Sequence, residues 1–80
     1  MSVLPEDMGA YQALQGRVDR RMTALGRGSN SRASYALEMS PTTVSRVRRG
    51  IEINQPVLEN LDTWSINEAS RQSSVLQTAV

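Results

Sequence analysis

Residues 39–50, MSPTTVSRVRRG, concentrate side chains that bind anions and hydrogen-bond acceptors. A guanidinium carries a permanent charge and a planar fork of N–H donors, which matches the geometry of phosphates and of guanine edges. At about 100° per residue, a helix over this stretch places Val44 and Val47 on one face. The opposite face then carries Thr42, Ser45, Arg46 and Arg49, with Thr43 and Arg48 on the flanks.

Two residue types that often carry catalysis or metal binding are missing from the chain. It has no histidine, the usual general base and commonest metal ligand, and no cysteine, so no thiolate metal site or disulfide can form. Its 80 residues allow one small domain, in which an enzyme pocket is not expected. We therefore predict no catalytic residue, no metal, no cofactor and no small-molecule substrate.

Charge is distributed unevenly along the chain. Eight arginines against two acidic residues give residues 17–49 a charge of +6. Residues 1–16 carry two acidic residues (−2), and residues 50–80 carry one arginine against four acidic residues (−3). A basic middle between acidic flanks indicates a surface for an anion. A solvated surface of salt bridges is the alternative that charge alone leaves open.

The sequence shows no membrane or export signal. No apolar run approaches the ~18–20 residues that a membrane span needs. The first ten residues, MSVLPEDMGA, are acidic and lack the basic-then-apolar order of a signal peptide. We expect a cytoplasmic protein that does not contact a membrane.

A compact all-α domain of four or five helices is expected to position the arginine-rich stretch. Apolar residues at spacings of three and four predict a first helix over residues 6–25, with this apolar stripe in the core. A short linker follows, and residues 31–38 form a second helix. The aromatic side chains of Tyr35 and Trp64 are expected at the edge of the core.

Local signals also bound the later helices. Ser40 and Pro41 are typical of a helix start and Gly50 of a helix end, which predicts a third helix over residues 41–49. Ile51 and Ile53 are expected to anchor the next loop to the core. A fourth helix follows.

The C-terminal part of the chain is less clearly patterned. Residues 65–80 are expected to form a fifth, weaker helix or a frayed tail. We therefore assign residues 1–66 to the folded domain and residues 67–80 to a tail or fifth helix that is a candidate dimerisation element.

Two short helices joined by a tight turn, over about residues 31–50, have the layout of a helix-turn-helix, whose second helix lies in the DNA major groove. The segment ASYALEMSPTTVSRVRRG resembles the lambda repressor/Cro-like (Xre-type) family, and INQPVLENLDTW is similar to the segment that follows in that family. The shared pattern is a small residue, an apolar pair around the turn, T-V-S-R, an apolar residue and a closing glycine. The residues that match it are Ser34, Leu37, Met39, Val44, Val47 and Gly50.

Two positions depart from the family pattern. Glu38 stands where glycine is usual in the turn, so the backbone there has to accept a residue with a Cβ atom. Arg48 stands where an acidic residue is common, which makes the third helix more basic.

The resemblance implies a sequence-specific regulator that binds double-stranded DNA, a repressor or Cro-type protein that occupies an operator as a homodimer. Such a protein works in the cytoplasm of a bacterial cell or a phage-infected host, associated with the nucleoid. The resemblance places base-reading side chains at Pro41, Thr42, Ser45 and Arg46, with Arg46 the candidate for guanine O6 and N7. Contacts to the DNA backbone are expected from Asn30, Ser31, Arg32, Thr43, Arg48, Arg49 and Asn54.

Several alternatives remain open from the sequence. The start of the second helix can cap that helix without binding a phosphate, and Arg48 can pair with Glu38 or Glu52. The dimerisation candidates Ile66, Val75 and Leu76 can instead fold back on the core. A different class of function is a helical protein-interaction module, such as an antitoxin or anti-regulator.

Overall fold

The computed structural model describes residues 5–78, with side chains as far as Ser73. Four helices and no strand make up the regular structure of this range, which confirms the predicted all-α class. The helices are α1 (Met8–Ala24), α2 (Ser29–Ala36), α3 (Pro41–Arg48) and α4 (Gln55–Thr78). None of the described helices has the length and hydropathy that crossing a bilayer requires.

The last helix decides between the four and five helices that the sequence left open, because it continues where a fifth helix or a frayed tail was expected. Helix α4 continues without a break to Thr78, because no glycine or proline interrupts the chain after Pro56. Ser65, in the middle of α4, is fully buried, and its hydroxyl donates to the Asp62 carbonyl at 2.9 Å. The chain therefore stays helical through the boundary that the sequence suggested at residue 66.

One apolar core holds the four helices together. Every helix contributes to it, because each has a face of apolar or small residues. The buried apolar members are Tyr11, Val18, Met22, Ala33, Val44, Val47, Leu58 and Leu61, and the half-buried residues packed against them are Leu14, Leu37, Met39, Ile53, Val57 and Trp64.

Two apolar residues expected at the core lie outside it. Tyr35 is 89% exposed, because α2 buries the face that carries Ala33 and Ser34 and turns the Tyr35 side chain to solvent. Ile51 is 70% exposed, whereas Ile53 packs against the core as predicted. The predictions for Tyr35 and Ile51 were wrong.

Helix α3 ends in a Schellman motif, in which two backbone N–H groups beyond the helix bond back to carbonyls of its last turn. The Gly50 N–H donates to the Val47 carbonyl at 3.2 Å, and the Ile51 N–H donates to the Arg46 carbonyl at 3.0 Å. Gly50 has φ 76°, a left-handed conformation that glycine adopts at little cost. The predicted helix end at Gly50 is confirmed.

Helix α2 ends in the same motif, but a glutamate occupies the left-handed position. The Glu38 N–H donates to the Tyr35 carbonyl at 3.3 Å, and the Met39 N–H donates to the Ser34 carbonyl at 2.9 Å. Glu38 has φ 54° and is the one residue other than glycine with positive φ among residues 5–78. Its Cβ atom makes this conformation costly, as the missing glycine in the sequence predicted.

Replacing Glu38 by glycine is expected to stabilise the domain. The left-handed conformation costs a residue with a Cβ atom about 1–2 kcal/mol, which the substitution by glycine removes. Part of this stabilisation is offset by the greater freedom of glycine in the unfolded chain. We expect the free energy of unfolding to rise by about 0.5–1 kcal/mol, measured by urea denaturation. Glu38→Ala is the matched control, since it removes the carboxylate and keeps the Cβ atom. Equal stabilisation by both variants would assign the effect to charge.

Candidate nucleic-acid interface

Helix α3 separates a buried face from an outward face, as its periodicity predicted. Val44 and Val47 are fully buried. The helix begins as expected, with the Ser40 hydroxyl accepting a hydrogen bond from the Thr42 N–H at 3.2 Å and Pro41 as its first residue. On the outward side, one shallow groove is lined by Pro41, Thr42, Ser45, Arg46, Arg49 and Ile51. The structure thus brings the four candidate base-reading residues to one surface; Ser45 is half-buried and the other three are exposed.

The two guanidiniums in this groove have no acidic partner within the described part of the chain. Arg46 and Arg49 are exposed and form no ion pair with an acidic side chain there. By contrast, Arg21 pairs with Asp62 at 2.7 Å, between α1 and α4. The charge of the arginine-rich segment is therefore divided between internal ion pairs and an outward face that is free to attract an anion.

Arg48 lies at the centre of a polar network that joins α3 to α1 and α2. Its Nη2 is 2.9 Å from Asp19 Oδ1 and its Nε donates to the same oxygen at 3.0 Å. Nη2 also donates to Thr23 Oγ1 at 3.0 Å, and Nη1 donates to Asn30 Oδ1 at 2.7 Å. The side chain is only 14% exposed. Its guanidinium is thus used inside the domain. It pairs with Asp19, and not with Glu38 or Glu52, the pairs that the sequence left open as an alternative to a contact with the DNA backbone.

Two side chains of α1 support the C-terminal end of α3 and the loop beyond it. Gln15 Nε2 donates to the Arg48 carbonyl, one of the last carbonyls of α3. The buried Tyr11 hydroxyl accepts from the Asn54 N–H at 3.0 Å and donates to the Glu52 carbonyl at 3.4 Å. None of these three contacts was predicted from the sequence, because they join residues more than 30 positions apart and no local pattern signals them.

The polar side chains at the start of α2 mainly contact other residues of the domain. Helix α2 begins two residues earlier than predicted, and its N-cap is Gly28, with φ 82° and no side-chain cap. The Asn30 amide oxygen is bound by Arg48. The Arg32 guanidinium donates to the carbonyls of Arg27 and Leu25 at 3.0 and 3.3 Å, and its Nε lies 3.7 Å from a Glu68 carboxylate oxygen. Of the three predicted phosphate contacts here, Ser31 is exposed, whereas Asn30 and Arg32 are half-buried.

Of the remaining candidates for contacts to the DNA backbone, one is used within the domain and the others lie on or next to α3. Asn54 is the residue before α4, and its Oδ1 accepts from the Val57 N–H at 3.2 Å, so it caps that helix. Thr43 is half-buried on the flank of α3. Arg49 is exposed at the end of α3 and lines the groove.

The predicted dimerisation residues can be judged only in part. Ile66 on α4 is 48% exposed. The side chains of Val75 and Leu76 lie outside the described residues, although the backbone of both belongs to α4.

No cluster of three acidic side chains that could hold a metal ion occurs within residues 5–78. Comparisons of the chain with protein-family profiles, with curated proteins and with solved structures found no match. The resemblance to the lambda repressor/Cro-like family therefore stays a prediction from the quoted residues.

Proposed function

We propose that this protein is a sequence-specific regulator of transcription, of repressor or Cro type, that binds double-stranded DNA and acts by occupying an operator. The observation that carries the proposal is the outward face of α3. This face combines two hydroxyls with two guanidiniums that have no acidic partner among the described residues, on a helix whose other face is fixed in the core.

The dimensions of α3 suit the DNA major groove. An α-helix with its side chains is about 10–12 Å across, and the major groove is about 12 Å wide and admits one helix. The tight turn at residues 37–40 and the packing of α2 against α3 match the layout in which a second helix enters the groove. These features support a recognition role for α3.

Each groove residue then has a role that its chemistry allows. Arg46 reads guanine O6 and N7 with two parallel hydrogen bonds, and Thr42 and Ser45 contact neighbouring base edges. Pro41, which has no N–H, offers only apolar contact. Arg49 binds a backbone phosphate from the end of the helix, because phosphate contacts set the register of a protein on the duplex. Thr43 and Ser31 are further phosphate contacts.

We further propose that the protein acts as a homodimer in the cytoplasm of a bacterial cell or phage-infected host, on the nucleoid. The exposed Ile66 is the described part of the candidate dimer surface. A dimer of such domains reads two half-sites about 10–10.5 base pairs apart.

Selection of bound sequences from random duplex DNA, followed by a salt titration of the selected duplex, tests this proposal. We expect one enriched motif containing guanine, repeated as two half-sites if the protein is a dimer. We also expect log affinity to fall linearly with log salt, and the slope to decrease by about 0.9 per protomer in Arg49→Ala, which loses a phosphate contact. Arg17→Ala is the matched control, because Arg17 is also exposed but lies on α1, and its slope should not change.

The competing function is a protein-interaction module, such as an antitoxin or anti-regulator. Tyr35 favours it, because this aromatic side chain is 89% exposed and lines a second depression with Ser31, Glu38 and Met39. No enriched motif and an affinity for duplex DNA that barely changes with salt would support this function over DNA binding.

A further inference from the structure

Ile51 is an exposed isoleucine held in a defined position beside Arg46. The left-handed Gly50 reverses the chain at the end of α3, and the Ile51 N–H donates to the Arg46 carbonyl at 3.0 Å. In a Schellman motif the residue at this place commonly contacts the side chain of the residue whose carbonyl it binds. Here that residue is Arg46, so the backbone directs Ile51 to the side of the helix that carries the guanine-reading candidate.

The corresponding residue of α2 behaves differently. Met39 occupies the same position of the second Schellman motif, and its side chain packs against the core. Ile53, two residues beyond Ile51, also packs against the core. Ile51 thus occupies the Schellman position at which Met39 is packed against the core, yet 70% of Ile51 stays exposed.

The surroundings of Ile51 indicate what it contacts. It lines the α3 groove together with two unpaired arginines and two hydroxyl residues. Apart from Pro41, it is the only apolar residue lining that groove. Of the groups on DNA base edges in the major groove, the apolar one is the C5-methyl of thymine. A β-branched side chain has few rotamers, so it offers its methyl groups in a nearly fixed place.

We propose that Ile51 is a specificity-determining residue that contacts a thymine C5-methyl group next to the base pair read by Arg46. The inference rests on the proposed function, since it requires α3 to lie in the major groove. It adds a residue beyond the helix itself to the sequence-reading surface and assigns that residue one chemical group on the DNA.

Removal of single methyl groups from the DNA tests this contact. Each thymine of the selected duplex is replaced in turn by deoxyuridine, which differs only in lacking the C5-methyl, and binding of the wild-type chain and of Ile51→Ala is measured by fluorescence anisotropy. For wild type we expect one position per half-site at which the replacement weakens binding about threefold to fourfold, the factor that corresponds to one buried methyl group. For Ile51→Ala the replacement at that position should have no effect.

A control variant and two further outcomes decide the inference. Met8→Ala also truncates an exposed apolar side chain, on α1 and outside the groove, and should keep the wild-type sensitivity to every methyl group. If wild type and Ile51→Ala respond equally to all replacements, Ile51 does not read thymine, and the proposed function stands. If the wild-type chain binds no duplex selectively, the proposed function fails and this inference with it.

Discussion

Arg46→Ala is expected to weaken binding to the selected duplex by about 1–3 kcal/mol, a factor of roughly 5 to 150, and to weaken binding to random duplex DNA much less. The bidentate contact with guanine exists only where guanine stands at the matching position, so its loss is selective. Arg46 is exposed and has no ion pair among the described residues, so the substitution should leave the fold intact. Measurement of both affinities at one salt concentration gives the ratio.

Arg49→Ala is the matched control for this experiment. Arg49 is likewise exposed and lines the same groove, but a phosphate contact carries no sequence information. Its loss should weaken binding to selected and random duplexes by the same factor. An equal loss on both duplexes for Arg46→Ala would show that Arg46 contacts a phosphate and that another residue reads the sequence.

Arg48→Ala is expected to lower the free energy of unfolding by about 2–3 kcal/mol. The substitution removes hydrogen bonds from the guanidinium to Asp19, Thr23 and Asn30 and leaves the Asn30 oxygen without its donor. Hydrogen bonds to a charged group contribute about 1.5–3 kcal/mol, and the lower part of that range applies to Asp19, which is 45% exposed. A domain of this size has only about 4–12 kcal/mol of stability in total, so the loss is large. Urea denaturation measures it.

A double-mutant cycle locates the origin of this effect. We expect Asp19→Ala and Arg48→Ala to be non-additive by about 0.5–1 kcal/mol, because the two side chains form one ion pair. Arg17→Ala serves as the control, since Arg17 is exposed on α1 and has no ion pair among the described residues. Its effect on stability should stay within about 0.5 kcal/mol. Additive effects of the Asp19 and Arg48 substitutions would show that the network does not hold α3 in place.

The network also explains why the sequence overstates the positive charge on the outward face of α3. The sequence places three arginines on or next to α3, and the structure leaves two of them facing outward. Arg48 departs from the family pattern by making α3 more basic, and its guanidinium joins α3 to Asp19 on α1 and Asn30 on α2. A positive charge at this position therefore supports the orientation of the helix.

Local features of the sequence were enough to predict helix α3. The period of 3.6 residues separates Val44 and Val47 from the outward residues, and Ser40 and Gly50 mark the two ends of the helix through hydrogen bonds within a few residues. Even the left-handed conformation of Glu38 followed from the turn that the sequence has to make. These features depend on neighbours along the chain, which a sequence displays directly.

Only the tertiary structure decided which polar side chains were available. Arg48 and Arg49 are adjacent and chemically identical, yet Arg48 finds Asp19, 29 positions away, while Arg49 lines the groove. Asn30 binds Arg48, so its amide oxygen is not available at the surface. Ile51 lies beside Arg46, because the chain reverses direction at the end of α3. The sequence by itself determined the helical class, the two ends of α3 and the face that α3 buries. The folded chain determined the partners, because a contact between distant residues depends on how whole helices pack, and no local pattern encodes that.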